Sequence, residues 1–125
     1  MPGVTLDTGG LIALDRNDRR VIVLLARARE TGGAITVPAT ALAQAIRQPE
    51  RQARLARLIR QPTTDVAALD RVDATNVGRL LAASGTADIA DAHVVICARR
   101  NQQPVVTSDP ADLSTLDPGL RLIPL

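Results

Sequence analysis

Apolar residues fall along this chain in short runs that alternate with stretches of helical spacing. Val4-Thr5-Leu6 predicts a short buried strand that delivers Asp7 at its C-terminal end. Thr8-Gly9-Gly10 follow, and the two glycines permit a tight turn and close backbone approach. Leu11 to Leu14 begin a short helix. Asp18 can cap a helix over 19–30, where Val21, Ile22, Leu24, Leu25 and Ala28 make an apolar face and Gly32-Gly33 mark the stop. Residues 34–37 read as a second strand, and Pro38 suits the start of a helix over 39–47 that carries Gln44. Pro49 breaks the chain before another helix over 50–60. A third strand is expected over 64–69. Asp70 and Asp73 read as the cap and first-turn acid of a helix ending near Ser84-Gly85. The next helix, over 86–100, is apolar nearly all round and therefore expected to be buried. Residues 104–107 form a fourth strand leading to Asp109, Asp112-Leu113 begin a turn or helix, and residues 120–123 make a last edge strand. Strands alternating with helices predict one α/β domain over 1–125 with a mainly parallel sheet.

Composition narrows the chemistry. The chain has no Phe, Trp or Tyr, so aliphatic side chains must fill the core. Nucleic-acid binding by stacking bases on aromatic rings is thereby excluded. All fifteen basic residues are Arg. Without Lys there is no Schiff base and no phosphate-loop lysine, while the guanidinium forks suit phosphate. A net charge of +2 does not point to a polyanion, but Arg47, Arg51, Arg54, Arg57 and Arg60 share a segment with only Glu50. The row at 51, 54 and 57 suits either a solvated helix face or an RNA-facing one. The single Cys97 reads as a small core residue. His93 lies two positions from Asp91, roughly across the helix, and reads as a packing or surface residue. The apolar runs are too short for a membrane span and no signal peptide is evident, so a soluble, cytoplasmic protein is expected.

The helix over 86–100 carries Asp88 and Asp91, three residues apart on one face of its first turn. One acid there would be explained by capping. Two acids, followed by a strand that ends in Thr107-Ser108-Asp109, point to a metal site. Sites in open parallel sheets form at the C-terminal ends of strands. If the first and fourth strands are neighbours, Asp7 and Asp109 converge, and the Asp88/Asp91 turn faces the same edge. Carboxylates gathered in one cleft repel unless a divalent cation intervenes. Oxygen-only donors favour Mg²⁺ or Mn²⁺ over Zn²⁺. Such an ion would support phosphodiester hydrolysis without a Ser or His nucleophile.

With these residues in place, the chain resembles PIN domains, especially the VapC toxins of bacterial toxin–antitoxin pairs. Val4 through Leu14 resembles their opening, and Val37-Pro38 through Ala41-Leu42-Ala43-Gln44 their second motif. Asp91 through Ala98 resembles their acid-led helix, and Val105 through Leu113 their last acidic motif. The resemblance spans almost the whole chain. It implies a three-layer α/β/α domain, bound Mg²⁺ or Mn²⁺, endoribonuclease activity, homodimers, and neutralisation by a small antitoxin. By motif, Asp7, Asp91 and Asp109 match the metal-binding acids, with Asp88 and Asp112 as neighbours able to assist. Thr8 and Thr107 match flanking hydroxyl positions.

One position departs from that pattern: Gln44 stands where the family usually has Glu. An amide keeps an oxygen but loses the charge, so weaker metal binding is expected. Two further functions compete with a ribonuclease toxin. One is a catalytically weak PIN-like module that binds RNA or protein. The other is a phosphoacceptor receiver domain, which is disfavoured because its chemistry normally uses a lysine. Leu11, Ile12, Leu14, Val21, Val23 and Leu24 suggest apolar surface for a homodimer or a helical partner beyond what one small sheet needs.

Overall fold

The computed structural model describes residues 3–125. Its centre is a five-stranded, all-parallel sheet in the order β3-β2-β1-β4-β5. The strands are β1 (Gly3–Leu6), β2 (Ala34–Pro38), β3 (Thr64–Ala67), β4 (Val105–Thr107) and β5 (Leu122–Pro124). The helices are α1 (Thr8–Asp15), α2 (Arg19–Glu30), α3 (Ala39–Ala45), α4 (Ala53–Ile59), α5 (Arg71–Ser84), α6 (Ile89–Asn101) and α7 (Pro110–Leu116). Parallel neighbours require crossover helices, and right-handed crossovers place them on both faces. The connections from β1 to β3 carry α1–α4 over one face. The return to β4 and β5 carries α5–α7 over the other, giving three layers. Val4, Leu6, Ile35, Val37, Val105 and Val106 are all at least nine-tenths buried, as a sheet covered on both faces demands. No single helix among the described residues is long and apolar enough to cross a membrane.

Helix boundaries differ from the sequence expectations by a turn or less, for local reasons. α1 begins at Thr8 rather than Leu11, because the Asp7 carboxylate accepts from the Gly10 amide at 2.8 Å and caps it. Asp88 likewise caps α6 through the Asp91 amide, so that helix starts at Ile89 rather than Thr86. The expected helix over 50–60 divides into a 3-10 turn (Pro49–Arg51) and α4, with Gln52 between them. The Gln52 amide accepts from the Arg47 and Gln48 backbone and donates to the Ala45 carbonyl, which fixes the break.

The apolar surplus expected near the N-terminus is mostly spent on the core. Leu11, Leu14 and Val21 are buried against the sheet, while Ile22 and Val23 on α2 stay exposed. The register of β1 and β2 is pinned by polar groups that the hydrophobic pattern does not reveal. Thr5 and Thr36 are cross-strand partners, and both hydroxyls donate to the Gln103 carbonyl oxygen, at 3.0 and 2.8 Å. Gln103 Nε2 donates to the Ala34 carbonyl at 3.1 Å, so this buried amide is satisfied on both sides.

Gly9 and Gly10 both have negative φ, so close approach, not left-handed backbone, explains them. A Cβ on Gly9 would lie 2.0 Å from Ser108 Oγ, and one on Gly10 would lie 2.8 Å from the Val106 carbonyl oxygen. The absence of those carbons lets the first turn of α1 rest on the end of β4. Gly10→Ala is therefore expected to lower stability by about 1 kcal/mol, since overpacking against a backbone carbonyl (about 2 kcal/mol, mid-range) outweighs the gain of about 1 kcal/mol in helix propensity. Urea denaturation checks this; a variant as stable as the parent contradicts the close-packing account.

Candidate metal centre

The sheet order creates one switch point. The chain leaves β1 towards β2 on one side and leaves β4 towards β5 on the other, so a crevice opens between the C-terminal ends of β1 and β4. Asp7 follows β1 directly, and Ser108 and Asp109 follow β4. α6 runs back across the sheet before β4, so its first turn, with Asp88 and Asp91, starts at the same edge. The convergence expected from the sequence, conditional on β1 and β4 being neighbours, thus has its condition met.

The acids differ in environment. Asp7 is 3% exposed, Asp91 is half-buried, and Asp88, Asp109 and Asp112 are exposed. Burial pushes the Asp91 carboxyl up to about 6, and the charges of Asp88, Asp112, Asp7 and Asp109 push it the same way. Asp91 is thus the carboxylate that feels all the others. Burial also raises Asp7, against the hydroxyl of Thr107 and the amides of Gly10 and Gly9, which favour its charged form. Thr107 does double duty here, since its Oγ1 also accepts from the Asp109 amide at 2.8 Å. Asp88, Asp91 and Asp112 line a cleft of about 240 Å³ with Thr86, Thr115 and Leu116.

Gln44 is exposed on α3. Its carbonyl oxygen accepts from the Thr8 hydroxyl at 3.0 Å, one residue beyond Asp7, and no hydrogen bond joins it to a carboxylate among the described residues. An all-oxygen donor set with an acid held up by burial and then by its charged neighbours is what a hard divalent cation would relieve, so the residues fit Mg²⁺ or Mn²⁺. The five carboxylates stay spread out: among the described residues, the only trio of His, Cys or acid ligand atoms within 4.8 Å of one another lies elsewhere, at Asp73, His93 and Cys97.

That second group corrects one expectation. Asp70 caps α5 as expected, accepting from the Asp73 amide at 2.8 Å. Asp73, however, is more than a first-turn acid. It is buried, accepts from Arg100 Nη2, and faces His93 Nε2 at 3.5 Å. A first-turn acid ordinarily points to solvent; here α6 packs over the start of α5 and encloses it. His93 and Cys97 are fully buried packing residues, as the sequence suggested. Burial lowers the His93 pKa, against Asp73 and the Ala68 backbone, which favour the charged ring.

The fold and crevice define a class: a PIN-like three-layer α/β/α domain with an acidic switch point. No protein-family model matches the chain, nor does any curated protein. Solved structures do resemble it. VapBC2 from Rickettsia felis, bound to a DNA fragment from its promoter, matches with a TM-score of 0.68 and 13% identity over 98% of both chains. FitAcB from Neisseria gonorrhoeae matches at 0.65 and 16% identity over 96% of both chains. FitAB bound to the IR36 DNA fragment matches at 0.65 and 13% identity, covering 97% of this chain and 94% of that one. At such identities the likeness is one of fold.

The electrostatics make a pH prediction. A carboxyl whose folded pKa is raised to about 6, from about 3.9 when unfolded, favours the fold while protonated. That contribution is full below pH 4 and lost as the pH rises through 6. In chelator, Asp91→Asn should be more stable than the parent by about 1 kcal/mol at pH 7.5, after allowing for solvent screening of a half-exposed group, and the gap should close below pH 4. A gap that does not change with pH in thermal melts contradicts the crowding of Asp91.

Proposed function

We propose that the protein is a Mg²⁺- or Mn²⁺-dependent endoribonuclease and acts as the toxin of a toxin–antitoxin pair. Its partners are then an RNA substrate, a small cognate antitoxin and a second copy of itself in a homodimer. The observation that carries this reading is Asp91, whose carboxyl is held up to about 6 amid Asp7, Asp88, Asp109 and Asp112. The fold likeness to VapBC2 and FitAB supports a toxin–antitoxin context. Those names cover both members of each pair, and the clustered acids favour the catalytic member for this chain.

Asp7, Asp91 and Asp109 would hold the ion, with Asp88 at the mouth. A divalent cation there supplies Lewis-acid polarisation of the phosphodiester and an activated water. The chain's own residues do the positioning. Thr107 orients Asp7 and the Asp109 backbone together, and the Asp88 cap fixes the turn that presents Asp91. Gly9 and Gly10 let the first turn of α1 pack closely on Val106 and Ser108 at the end of β4. The charged row of Arg51, Arg54 and Arg57 is exposed and available to phosphates, which Arg binds through paired N–H donors.

A second reading, a catalytically weak module that binds RNA or protein, is favoured by Gln44. Its carbonyl is already engaged by Thr8 and it brings no charge to the crevice.

One experiment separates the two. Purified protein is incubated with single-stranded RNA in chelator, Mg²⁺ or Mn²⁺. The toxin reading predicts cleavage only with metal, a loss of at least 100-fold in Asp91→Asn, and faster cleavage with tighter metal binding in Gln44→Glu. Cleavage by Asp91→Asn at the parent rate contradicts the site assignment. RNA retention without cleavage in any metal favours the binding module.

A further inference from the structure

Away from the acidic crevice, α5 and α6 bring together three ligand types that a hard-metal nuclease site does not use. His93 and Cys97 are four residues apart on α6 and so share one face of the helix. Asp73, in the first turn of α5, packs against that face. One ligand atom from each, His93 nitrogen, Cys97 Sγ and an Asp73 oxygen, lie within 4.8 Å of one another. All three residues are more than nine-tenths buried, at 3%, 0% and 0% exposed for Asp73, His93 and Cys97. We propose that Asp73, His93 and Cys97 form a site for a thiophilic divalent cation of the Zn²⁺ type.

A structural ion pair explains only part of this cluster. Arg100 Nη2 engages Asp73 Oδ1 and leaves Oδ2 facing the imidazole. Among the described residues, His93 Nε2 is fully buried and has no hydrogen-bond partner, because Asp73 Oδ2 at 3.5 Å is beyond a good hydrogen bond. An unpaired buried polar atom is costly, and an ion would satisfy it. The other ring nitrogen is already held: His93 Nδ1 and Thr40 Oγ1 are 2.7 Å apart. A bound ion would select the tautomer in which Nδ1 donates its proton to Thr40 and the Nε2 lone pair faces the cluster, the arrangement that metal-binding histidines use.

One of the three separations already suits such an ion. Donors around one tetrahedral Zn²⁺ stand about 3.3–3.8 Å apart, given bonds of about 2.0–2.3 Å. The His93–Asp73 separation of 3.5 Å already falls in that range. A cleft of about 550 Å³, lined by Val72, Asp73, Asn76, Arg79 and Arg100, borders the group on the Asp73 side. Binding releases the Cys97 thiol proton to solvent, so affinity rises with pH. Nitrogen and sulfur donors select against Mg²⁺, which separates this site chemically from the crevice. A bound ion would tie the start of α5 to the middle of α6, two residues beyond Asp91, and brace the turn that presents that acid.

The test is titration of the intact protein with Co²⁺ in saturating Mg²⁺, followed by optical absorption. One Co²⁺ per chain is expected, with a thiolate-to-cobalt charge-transfer band that Zn²⁺ abolishes by displacement. Cys97→Ala should retain its helical circular dichroism and lose the band. His93→Gln should weaken Co²⁺ binding at least tenfold. Absence of the thiolate band in the parent protein overturns the site, whatever the variants do. So does an unchanged affinity in Cys97→Ala. Neither result depends on RNA cleavage.

Discussion

The hydrogen-bonded pairing of β1 with β4 is the constraint on which the candidate site depends. These strands are distant in sequence, and their pairing sets two chain reversals of opposite direction side by side. Each strand ends in an acid, so the same pairing that completes the sheet also concentrates negative charge. The sheet tolerates this because the surroundings are divided. Asp7 is buried but met by the Gly10 amide and the Thr107 hydroxyl, whereas Asp109 and Asp112 reach solvent. Asp91 has a raised pKa, first from its burial and then from the charges of Asp88, Asp112, Asp7 and Asp109. Glycine at positions 9 and 10 is part of the same arrangement, because any side chain there would push α1 off the end of β4.

Much of this is legible in the sequence because it rests on local signals. Short aliphatic runs ending in Asp, a glycine pair, and an acid-led apolar helix each report on their own few residues. Together they suffice for a mainly parallel α/β domain, while the adjacency of β1 and β4 stays a condition until the fold meets it. What is not legible depends on partners far along the chain. Gln103 gives no local sign that it will accept from Thr5 and Thr36 and lock their register. Asp73 looks like any first-turn acid until α6 is laid across it. The apolar residues of α1 and α2 look like spare surface until the sheet is present to receive them.

The buried group at Asp73, His93 and Cys97 shows where a signal was available. A His and a Cys four apart on a buried helix already define a two-ligand face, and only the third ligand needs the fold to find it. The two sites are also complementary in chemistry. The crevice offers oxygen alone and is open to water, suited to a hard ion and a phosphate. The inner group offers nitrogen, sulfur and one oxygen under cover. α6 carries residues of both groups, Asp91 at its first turn and His93 and Cys97 behind it.

The central claim is that the carboxylates at the ends of β1 and β4 and at the start of α6 hold one divalent cation. The most direct measurement is a crystal structure of the protein grown with Mn²⁺, with anomalous scattering used to place the ion. The account predicts a peak between Asp7, Asp91 and Asp109, at the switch point of the sheet. Mn²⁺ found only elsewhere on the surface, with the crevice empty at millimolar concentration, would contradict it.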